Sequence, residues 1–363
     1  MKKGIFNLLI CFFVLGCMLK KTEKSESEEY DFTPLEKKIQ SWVDQGYYPG
    51  ASILIAKDGK IVYEDYFGDY SMDEVVYIAS AGKWLATAAI AALVDQGKLS
   101  WNDKVNKWLP AINGEKGTAT IRQLLSHTSG YPDYQPQGRP RDDYQTLPEA
   151  VKNIIDLPSD TPPGTEFHYG GLAMQVAGRI AEIASGKEFE EIFQENIAVP
   201  LGMTNTHFVP VDSAEGHNPM IGEGARSTLH DYAQFLEMFS NDGMYQEKQV
   251  LSRASVLEIQ SNQIRGAKIK QDGYVERVRN LDHKGIYGLG MWREELNDEG
   301  DAVLISSPGW AGAYPWIDKR NNIYGFFLTH VIPQTARRKG FSSFYSSPEL
   351  VEVVRDIVHY NNQ

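Results

Sequence analysis

Strand-like segments occur near both ends of this chain, and a long stretch richer in helices and loops separates them. Near the N-terminus, residues 51–56 and 61–67 are rich in β-formers and flank Asp58-Gly59, a dipeptide that favours a hairpin turn. Further strand signals return only late in the chain, at residues 287–292, 302–305, 314–317 and 323–329. This order predicts an α+β domain whose sheet is assembled from both ends of the chain, with a helical insert at about residues 110–230.

The composition is that of a globular protein and argues against one class of partner. The 363 residues are 42% hydrophobic and 23% charged, which are ordinary values for a packed domain. The formal net charge of −12 argues against nucleic acid, because binding phosphates requires a surplus of lysine and arginine. Both cysteines, Cys11 and Cys17, precede the predicted domain, so disulfides do not hold its fold together.

The first residues have the layout of a secretory signal peptide. Two lysines at positions 2 and 3 precede residues 5–15, which are apolar apart from Asn7. The apolar run is shorter than the roughly 20 residues that a membrane-spanning helix needs. It ends in Val-Leu-Gly-Cys at residues 14–17, which resembles the lipobox of bacterial lipoproteins. In that family the chain is cut before the cysteine and the thiol carries the lipid, which implies a signal peptide at residues 1–16 and lipidation of Cys17.

The segment after Cys17 indicates how the domain is attached. Residues 17–31 are mostly Lys, Glu and Ser, a composition typical of a flexible, solvated tether, and the folded domain is expected at residues 32–363. We therefore expect the folded domain in the bacterial cell envelope, periplasmic or extracellular and held at a membrane by its lipid. The alternative is ordinary secretion, with a free thiol left behind.

A serine and a lysine begin an alanine-rich segment that predicts a helix over residues 80–96. In Ser80-Ala81-Gly82-Lys83 the first and last residues share a helix face, so the Lys83 amine can reach the Ser80 hydroxyl. A desolvated lysine can activate such a serine as a nucleophile, and a helix N-terminus supplies N–H groups for a developing oxyanion. The plainer interpretation is a capping serine beside a solvated lysine, because this spacing also arises by chance.

Five further segments of the chain add to the evidence from the Ser80–Lys83 motif. They are residues 93–99, residues 105–110, Leu-Leu-Ser-His-Thr-Ser-Gly at 124–130, Pro-Gly-Thr-Glu-Phe-His-Tyr at 163–169, and residues 222–231, which end in Ser-Thr-Leu-His-Asp. Together with the Ser80–Lys83 motif, and in the same order along about residues 33–360, these segments resemble the motifs of the serine β-lactamase-related hydrolases. Within that family the resemblance is to the branch of class C β-lactamases, D,D-peptidases and esterases. The resemblance implies a β-lactamase/transpeptidase-like, penicillin-binding-protein-like fold, with an antiparallel sheet flanked by helices and an all-helical insert.

The resemblance also implies roles for individual residues. Ser80 corresponds to the nucleophile that attacks a carbonyl and forms an acyl-enzyme, and Lys83 to the residue that shares the proton transfer. Tyr169 corresponds to the tyrosine of the family's Y-x-N motif, which moves a proton to the leaving group. Apart from the resemblance, His127 is expected to brace a loop. His168, beside Tyr169, is expected to have a structural role, with tuning of the site as the alternative.

Two positions depart from the family pattern. Gly171 stands where the Y-x-N motif has asparagine, so no side-chain amide is present there. Ser307-Pro308-Gly309-Trp310 stands in place of the K-T-G or H-x-G element. Gly309 permits close approach of the backbone, and the N–H of Trp310 is expected to pair with that of Ser80 as an oxyanion hole. Ser307 can donate a hydrogen bond but carries no charge, whereas the family's cation favours substrates that bear a carboxylate.

These observations favour an esterase-type or amidase-type serine hydrolase that acts on a small-molecule or peptide substrate. Two alternatives remain: a penicillin-recognising D,D-carboxypeptidase or β-lactamase, and a non-catalytic envelope protein that keeps the fold for binding. No cofactor is expected. The eight histidines show no H-E-x-x-H or Cys/His spacing, so no metal site is predicted.

Overall fold

The computed structural model describes residues 30–134, 145–159, 161–208, 218–269, 274–279 and 284–360. The predicted signal peptide at residues 1–16, Cys17 and the tether as far as residue 29 lie outside the described residues. Among the helices that the structure describes, none is long and apolar enough to cross a membrane.

The chain alternates between short strands and helices, with the longer strands at its two ends. In chain order the strands are β1 (Gly50–Lys57), β2 (Lys60–Gly68), β3 (Val76–Tyr77), β4 (Glu166–Phe167), β5 (His207–Phe208), β6 (Ala225–Ser227), β7 (Met244–Tyr245), β8 (Lys248–Gln249), β9 (Lys268–Ile269), β10 (Trp292–Leu296), β11 (Ala302–Ser306), β12 (Gly312–Asp318) and β13 (Ile323–His330). The helices are α1 (Thr33–Asp44), α2 (Gly82–Asp95), α3 (Val105–Trp108), α4 (Gly114–Thr118), α5 (Ile121–Leu125), α6 (Leu147–Ile155), α7 (Leu172–Ser185), α8 (Phe189–Phe193), α9 (Val199–Leu201), α10 (Leu229–Ser240), α11 (Arg253–Gln260), α12 (Tyr274–Arg279), α13 (Pro333–Lys339), α14 (Ser343–Ser346) and α15 (Glu349–Tyr360).

Among the described residues, six strands form one antiparallel sheet in the order β10-β11-β12-β13-β1-β2. Strand β1 pairs with its hairpin partner β2 and also with β13 from the other end of the chain, so that Ala51 lies opposite Thr329. Asp58 and Gly59 both have positive φ, which suits a tight turn between twisted antiparallel strands. The predicted α+β fold, with its sheet drawn from both chain ends, is confirmed.

Helices cover both faces of this sheet. On one face α1 and α15 bury apolar side chains such as Leu35, Ile39 and Leu350 against the strands. On the other face lies a larger apolar core that contains α2 and α10, both from the mainly helical chain between β2 and β10. The stretch also contains the short strands β3 to β9. The predicted insert at about residues 110–230 lies within it and is mainly helical, but it includes the short strands β4, β5 and β6. Helix α2 is therefore held inside the core, between the sheet and the other helices of this stretch.

One predicted strand is wrong in position. The expected strand at residues 287–292 begins only at Trp292 and continues to Leu296. Gly290 has φ +67°, so the chain turns here and does not continue an extended strand. A Cβ at Gly290 would lie 2.6 Å from the carbonyl oxygen of Lys83, so the turn packs directly against helix α2.

Candidate active site

Ser80 and Lys83 lie at the junction where a 3₁₀ turn, Ala79–Ala81, passes into helix α2. The Lys83 Nζ atom donates a hydrogen bond to the Ser80 Oγ atom over 2.9 Å. Only 1% of Lys83 and 7% of Ser80 are exposed, so the alternative of a solvated lysine beside a capping serine is wrong. The two side chains instead form a buried hydroxyl–amine pair.

The backbone around Ser80 is fixed by contacts with distant segments. Ala79, immediately before the serine, has φ +51°, a conformation that non-glycine residues rarely adopt and that is maintained only by surrounding structure. The carbonyl of Ala81 accepts a 2.7 Å hydrogen bond from the Tyr232 hydroxyl. A Cβ at Gly82 would lie 2.7 Å from the Ala225 Cβ, so glycine allows strand β6 to pack against this turn.

The environment of Lys83 favours its uncharged form. Its amine also donates to the Gly222 carbonyl oxygen over 2.6 Å. Burial lowers the pKa of Lys83, and the electrostatic effects of Tyr134 and Glu223 act in the opposite direction. The sequence resemblance included Gly222 and Glu223 only as part of a longer block and gave neither a role.

Tyr169 lies beside the same pair. Its side chain is half-buried, and its ring centroid lies 5.0 Å from the Lys83 Nζ atom. The ring packs against His127 and Trp292, with centroid distances of 4.7 and 5.2 Å. Burial raises the pKa of Tyr169, so its hydroxyl keeps its proton at neutral pH.

The two histidines near Tyr169 connect loop segments. His127 is buried with φ +57°, its Nε2 atom lies 3.2 Å from the Tyr287 hydroxyl, and its carbonyl accepts from the His168 N–H over 2.8 Å. Burial holds the pKa of His127 well below its usual value, so its ring is neutral. His168 lies 3.2 Å from Asp133. In this geometry His127 braces the loop under Tyr169.

The segment at residues 307–310 lies against the serine turn. The Ser307 hydroxyl donates to the carbonyl oxygens of Ser80 and Gly290, over 3.1 and 3.4 Å. A Cβ at Gly309 would lie 2.3 Å from the Ile78 carbonyl oxygen, so only glycine fits without a shift of the backbone. Trp310 is 47% exposed. Ser307 therefore lies beneath the site and holds the serine turn, and Trp310 lies at its surface.

Two backbone N–H groups in this region are the candidates for the predicted oxyanion hole. In the part of the chain that the structure describes, the N–H groups of Ser80 and Trp310 have no hydrogen-bond acceptor. The N–H of Ser80 is free because it belongs to the first turn of a helical segment. Both groups belong to segments that pack against each other through Gly309 and Ile78. The oxyanion hole formed by these two N–H groups stays a prediction.

Gly171 opens a cavity beside the buried pair. The cavity has a volume of about 230 Å³ and is lined in part by Tyr134, Gln175 and Glu223. A Cβ at Gly171 would meet no atom within 4 Å, so the space that a longer side chain would fill is open. Within the described ranges, no three His, Cys, Asp or Glu side chains cluster as a metal site would require.

A family model described as Beta-lactamase matches residues 35–339. The chain belongs to the beta-lactamase family. Members of this family are serine hydrolases, a class that includes esterases, peptidases and β-lactamases. The family resemblance inferred from the sequence motifs is therefore confirmed, together with the β-lactamase/transpeptidase-like fold.

Three beta-lactamase-family relatives illustrate the range of similarity. A solved structure of a candidate beta-lactamase from Bacteroides dorei DSM 17855 is 50% identical, covers 92% of this chain and 100% of its own, and superposes with a TM-score of 0.86. Protein flp of Staphylococcus aureus (strain N315) is 30% identical over 51% of this chain, but the match spans only 40% of that protein. The D-alanyl-D-alanine-carboxypeptidase/endopeptidase AmpH of Escherichia coli (strain K12) is 28% identical over 67% of this chain and 66% of its own.

Proposed function

We propose that this protein is a serine hydrolase that forms an acyl-enzyme on Ser80 and cleaves an ester or amide substrate. The observation that carries the proposal is the buried Lys83 amine, 2.9 Å from the Ser80 hydroxyl, with the ring of the protonated Tyr169 centred 5.0 Å from the same amine. Burying an amine is unfavourable for stability, so a protein that used this fold only for binding would gain nothing by keeping Lys83 there.

Acylation follows from the protonation states of these groups. The neutral Lys83 amine takes the proton of the Ser80 hydroxyl as the serine oxygen bonds to the substrate's carbonyl carbon. The carbonyl electron pair moves onto its oxygen, which accepts hydrogen bonds from the N–H groups of Ser80 and Trp310. When the carbonyl re-forms, the bond to the leaving group breaks. The leaving group takes a proton from the Tyr169 hydroxyl, and Tyr169 recovers one from Lys83.

Deacylation reverses the direction of proton transfer with water in place of the leaving group. Water gives a proton to the Lys83–Tyr169 pair and its oxygen bonds to the acyl carbon. Collapse of this second tetrahedral intermediate breaks the bond to Ser80, whose oxygen regains a proton from the same pair. The products are the free acid and the original enzyme, and no step requires a further co-reactant.

The proposed substrate class follows from the charge around Ser307. The serine hydroxyl supplies no positive charge, and it already donates to backbone carbonyl oxygens. This favours substrates without a carboxylate over β-lactams and D-alanyl peptides. The similarity to AmpH keeps the penicillin-recognising alternative as a second candidate. Acylation by a fluorescent penicillin distinguishes them: we expect weak or no labelling, and rapid Ser80-dependent labelling would favour the second candidate.

A fluorophosphonate probe tests Ser80 directly, because it reacts covalently with activated serines. We expect the wild type and Ser342→Ala to be labelled and Ser80→Ala to remain unlabelled. Ser342 is a suitable control because it is exposed and makes no capping hydrogen bond through its side chain. Equal labelling of wild type and Ser80→Ala would exclude Ser80 as the nucleophile. Failure of the wild type both to be labelled and to hydrolyse p-nitrophenyl acetate would favour a binding protein.

We also propose that the chain is anchored to a bacterial membrane by a lipid on Cys17. The proposal is supported by the apolar run at residues 5–15 and the lipobox-like sequence that follows it. Full-length protein expressed in a bacterium with lipoprotein processing should partition into the detergent phase of Triton X-114. Cys17→Ser should move it to the aqueous phase, whereas Cys11→Ser should not. Partitioning that is unchanged by Cys17→Ser would exclude the lipid anchor.

A further inference from the structure

Tyr169 belongs to a cluster of four aromatic rings, in which it is the half-buried member. The other members, all buried, are His127, Tyr287 and Trp292. The ring centroid of Tyr287 lies 5.0 Å from that of His127, 5.0 Å from that of Trp292 and 6.0 Å from that of Tyr169. Tyr287 therefore contacts both of the rings that pack against Tyr169 at 4.7 and 5.2 Å.

Tyr287 also makes a polar contact with His127. Its hydroxyl oxygen lies 3.2 Å from the His127 Nε2 atom, which is hydrogen-bond distance. A hydroxyl can donate or accept, so the pair forms a hydrogen bond in either tautomer of the imidazole. Both side chains are buried, and a buried polar atom without a partner would cost stability. The bond therefore restrains the orientation of the imidazole that packs on Tyr169.

His127 acts on the segment that carries Tyr169 through two separate contacts. Its ring packs on the Tyr169 ring, and its carbonyl oxygen accepts a hydrogen bond over 2.8 Å from the N–H of His168, the preceding residue. His127 has φ +57°, a backbone conformation that is unfavourable for a non-glycine residue and persists only where surrounding contacts maintain it. The position of Tyr169 therefore depends on how His127 is held.

The loop that carries Tyr287 also contacts the helix of the proposed base. Tyr287 and Trp292 pair as an isolated antiparallel bridge, and the turn at Gly290 lies between them. The Gly290 N–H donates to the Leu125 carbonyl oxygen over 3.0 Å. A Cβ at Gly290 would lie 2.6 Å from the carbonyl oxygen of Lys83. The same loop thus fixes the aromatic cluster relative to helix α2.

We propose that Tyr287 is a positioning residue, which acts through His127 to direct the Tyr169 hydroxyl toward the leaving group. The inference rests on the proposed hydrolase function, in which Tyr169 gives a proton to the leaving group. Such a transfer requires the hydroxyl to lie within hydrogen-bond reach of the accepting atom, so a small displacement of the ring lowers the rate sharply. Tyr287 transfers no proton itself, because it acts only by holding the imidazole in place.

Two acetate esters with different leaving groups test this proposal. p-Nitrophenolate leaves readily as an anion, whereas phenolate is a stronger base and gains more from a proton as it leaves. Tyr287→Phe removes the hydroxyl and keeps the ring. We expect this variant to lower kcat/KM about tenfold for phenyl acetate and less than about threefold for p-nitrophenyl acetate. Both esters form the same acetyl-enzyme, so the ratio of the two kcat/KM values reports leaving-group departure.

The matched control removes a buried tyrosine hydroxyl elsewhere. The hydroxyl of the buried Tyr314 donates to Glu294 over 3.0 Å, in the core beneath helices α1 and α15. Tyr314→Phe should alter stability alone and leave the ratio of the two esters unchanged. His127→Asn removes the ring at a position where asparagine tolerates the positive φ, and it should reproduce the selective loss of Tyr287→Phe.

A double variant shows whether Tyr287 acts through Tyr169. Added to Tyr169→Phe, Tyr287→Phe should lower kcat/KM for phenyl acetate by less than about twofold further, because no hydroxyl remains to be directed. Losses that multiply in the double variant would exclude the inference and leave the hydrolase intact. Equal losses for both esters in Tyr287→Phe would do the same, as would wild-type activity of Tyr169→Phe on phenyl acetate.

Failure of the proposed function gives a different result. If the wild type hydrolyses neither ester, or if Ser80→Ala hydrolyses them equally well, Ser80 is not the nucleophile. The hydrolase proposal then fails, and the role of Tyr287 fails with it.

Discussion

The Lys83 amine lies between the Ser80 hydroxyl, at 2.9 Å, and the Gly222 carbonyl oxygen, at 2.6 Å. The same amine lies 5.0 Å from the centroid of the Tyr169 ring, so the carbonyl, the serine and the tyrosine surround it. This pairing joins the start of helix α2 to a segment 139 residues further along the chain. The position of the proposed base, Lys83, therefore depends on how the segment that contains Gly222 packs against helix α2.

Removing the Lys83 amine should abolish most of the activity. We expect Lys83→Met to reduce kcat/KM for p-nitrophenyl acetate by about 10²–10⁴-fold, because general-base catalysis is lost while an apolar chain of similar length fills the space. Steady-state kinetics with purified protein measures the change. Lys98→Met, at an exposed position beyond α2, provides the control and should retain wild-type activity. A Lys83→Met enzyme within threefold of wild type would contradict the assigned role.

Tyr169→Phe removes the hydroxyl and keeps the ring, so it tests the role of the hydroxyl alone. The ring contacts with His127 and Trp292 remain, so the melting temperature should stay within about two degrees of wild type. We expect kcat to fall by about 10²–10³-fold, because proton transfer to the leaving group is lost. A loss confined to KM would indicate that Tyr169 contributes to substrate binding alone.

The pH dependence of kcat/KM should report Lys83. Because only the neutral amine accepts a proton, activity should rise with pH through the pKa of Lys83, which burial places below its usual value of 10.5. Tyr169 remains protonated over this range because burial raises its pKa, and the neighbouring His127 remains neutral. The charge of Glu223 raises the pKa of Lys83, so Glu223→Gln should move the acid limb to lower pH.

The matched control for this shift is Glu299→Gln, which removes an exposed carboxylate. Its pH profile should coincide with that of the wild type. An acid limb that moves to higher pH in Glu223→Gln, or does not move, would show that another group controls the rate.

Replacing each of two glycines in the site by alanine should change the free energy of unfolding in opposite directions. A Cβ at Gly309 would lie 2.3 Å from the Ile78 carbonyl oxygen, so Gly309→Ala should lower the free energy of unfolding by about 1–3 kcal/mol and disturb the serine turn. Gly171 has φ −112°, and a Cβ at this position would meet open space. Gly171→Ala should therefore raise the free energy of unfolding by about 0.4–1 kcal/mol. Urea denaturation measures both values. Similar stabilities for the two variants would contradict the packing at Gly309.

Some features of this protein follow from local sequence. The turn at Asp58-Gly59 and the β-formers on either side of it predict the first hairpin, because hairpin geometry depends on neighbouring residues. The contact between Ser80 and Lys83 is equally local, since residues three apart share one face of a helical turn. The predicted strand at residues 287–292 failed because the conformation at Gly290 is set by contact with helix α2, which lies far away in sequence.

The remaining features depend on segments that are remote in sequence. The contact of the Gly222 carbonyl with Lys83 could not be predicted from the sequence. Every residue has a backbone carbonyl, and only the fold decides which one contacts the lysine. The position of Ser307 beneath the serine turn, and that of Glu223 beside the cavity, likewise arise from packing between distant loops. The sequence by itself determined which groups could react, because residue type and spacing are local properties. The tertiary structure decided that Lys83 is buried and which charges surround it, because burial requires contacts from many parts of the chain.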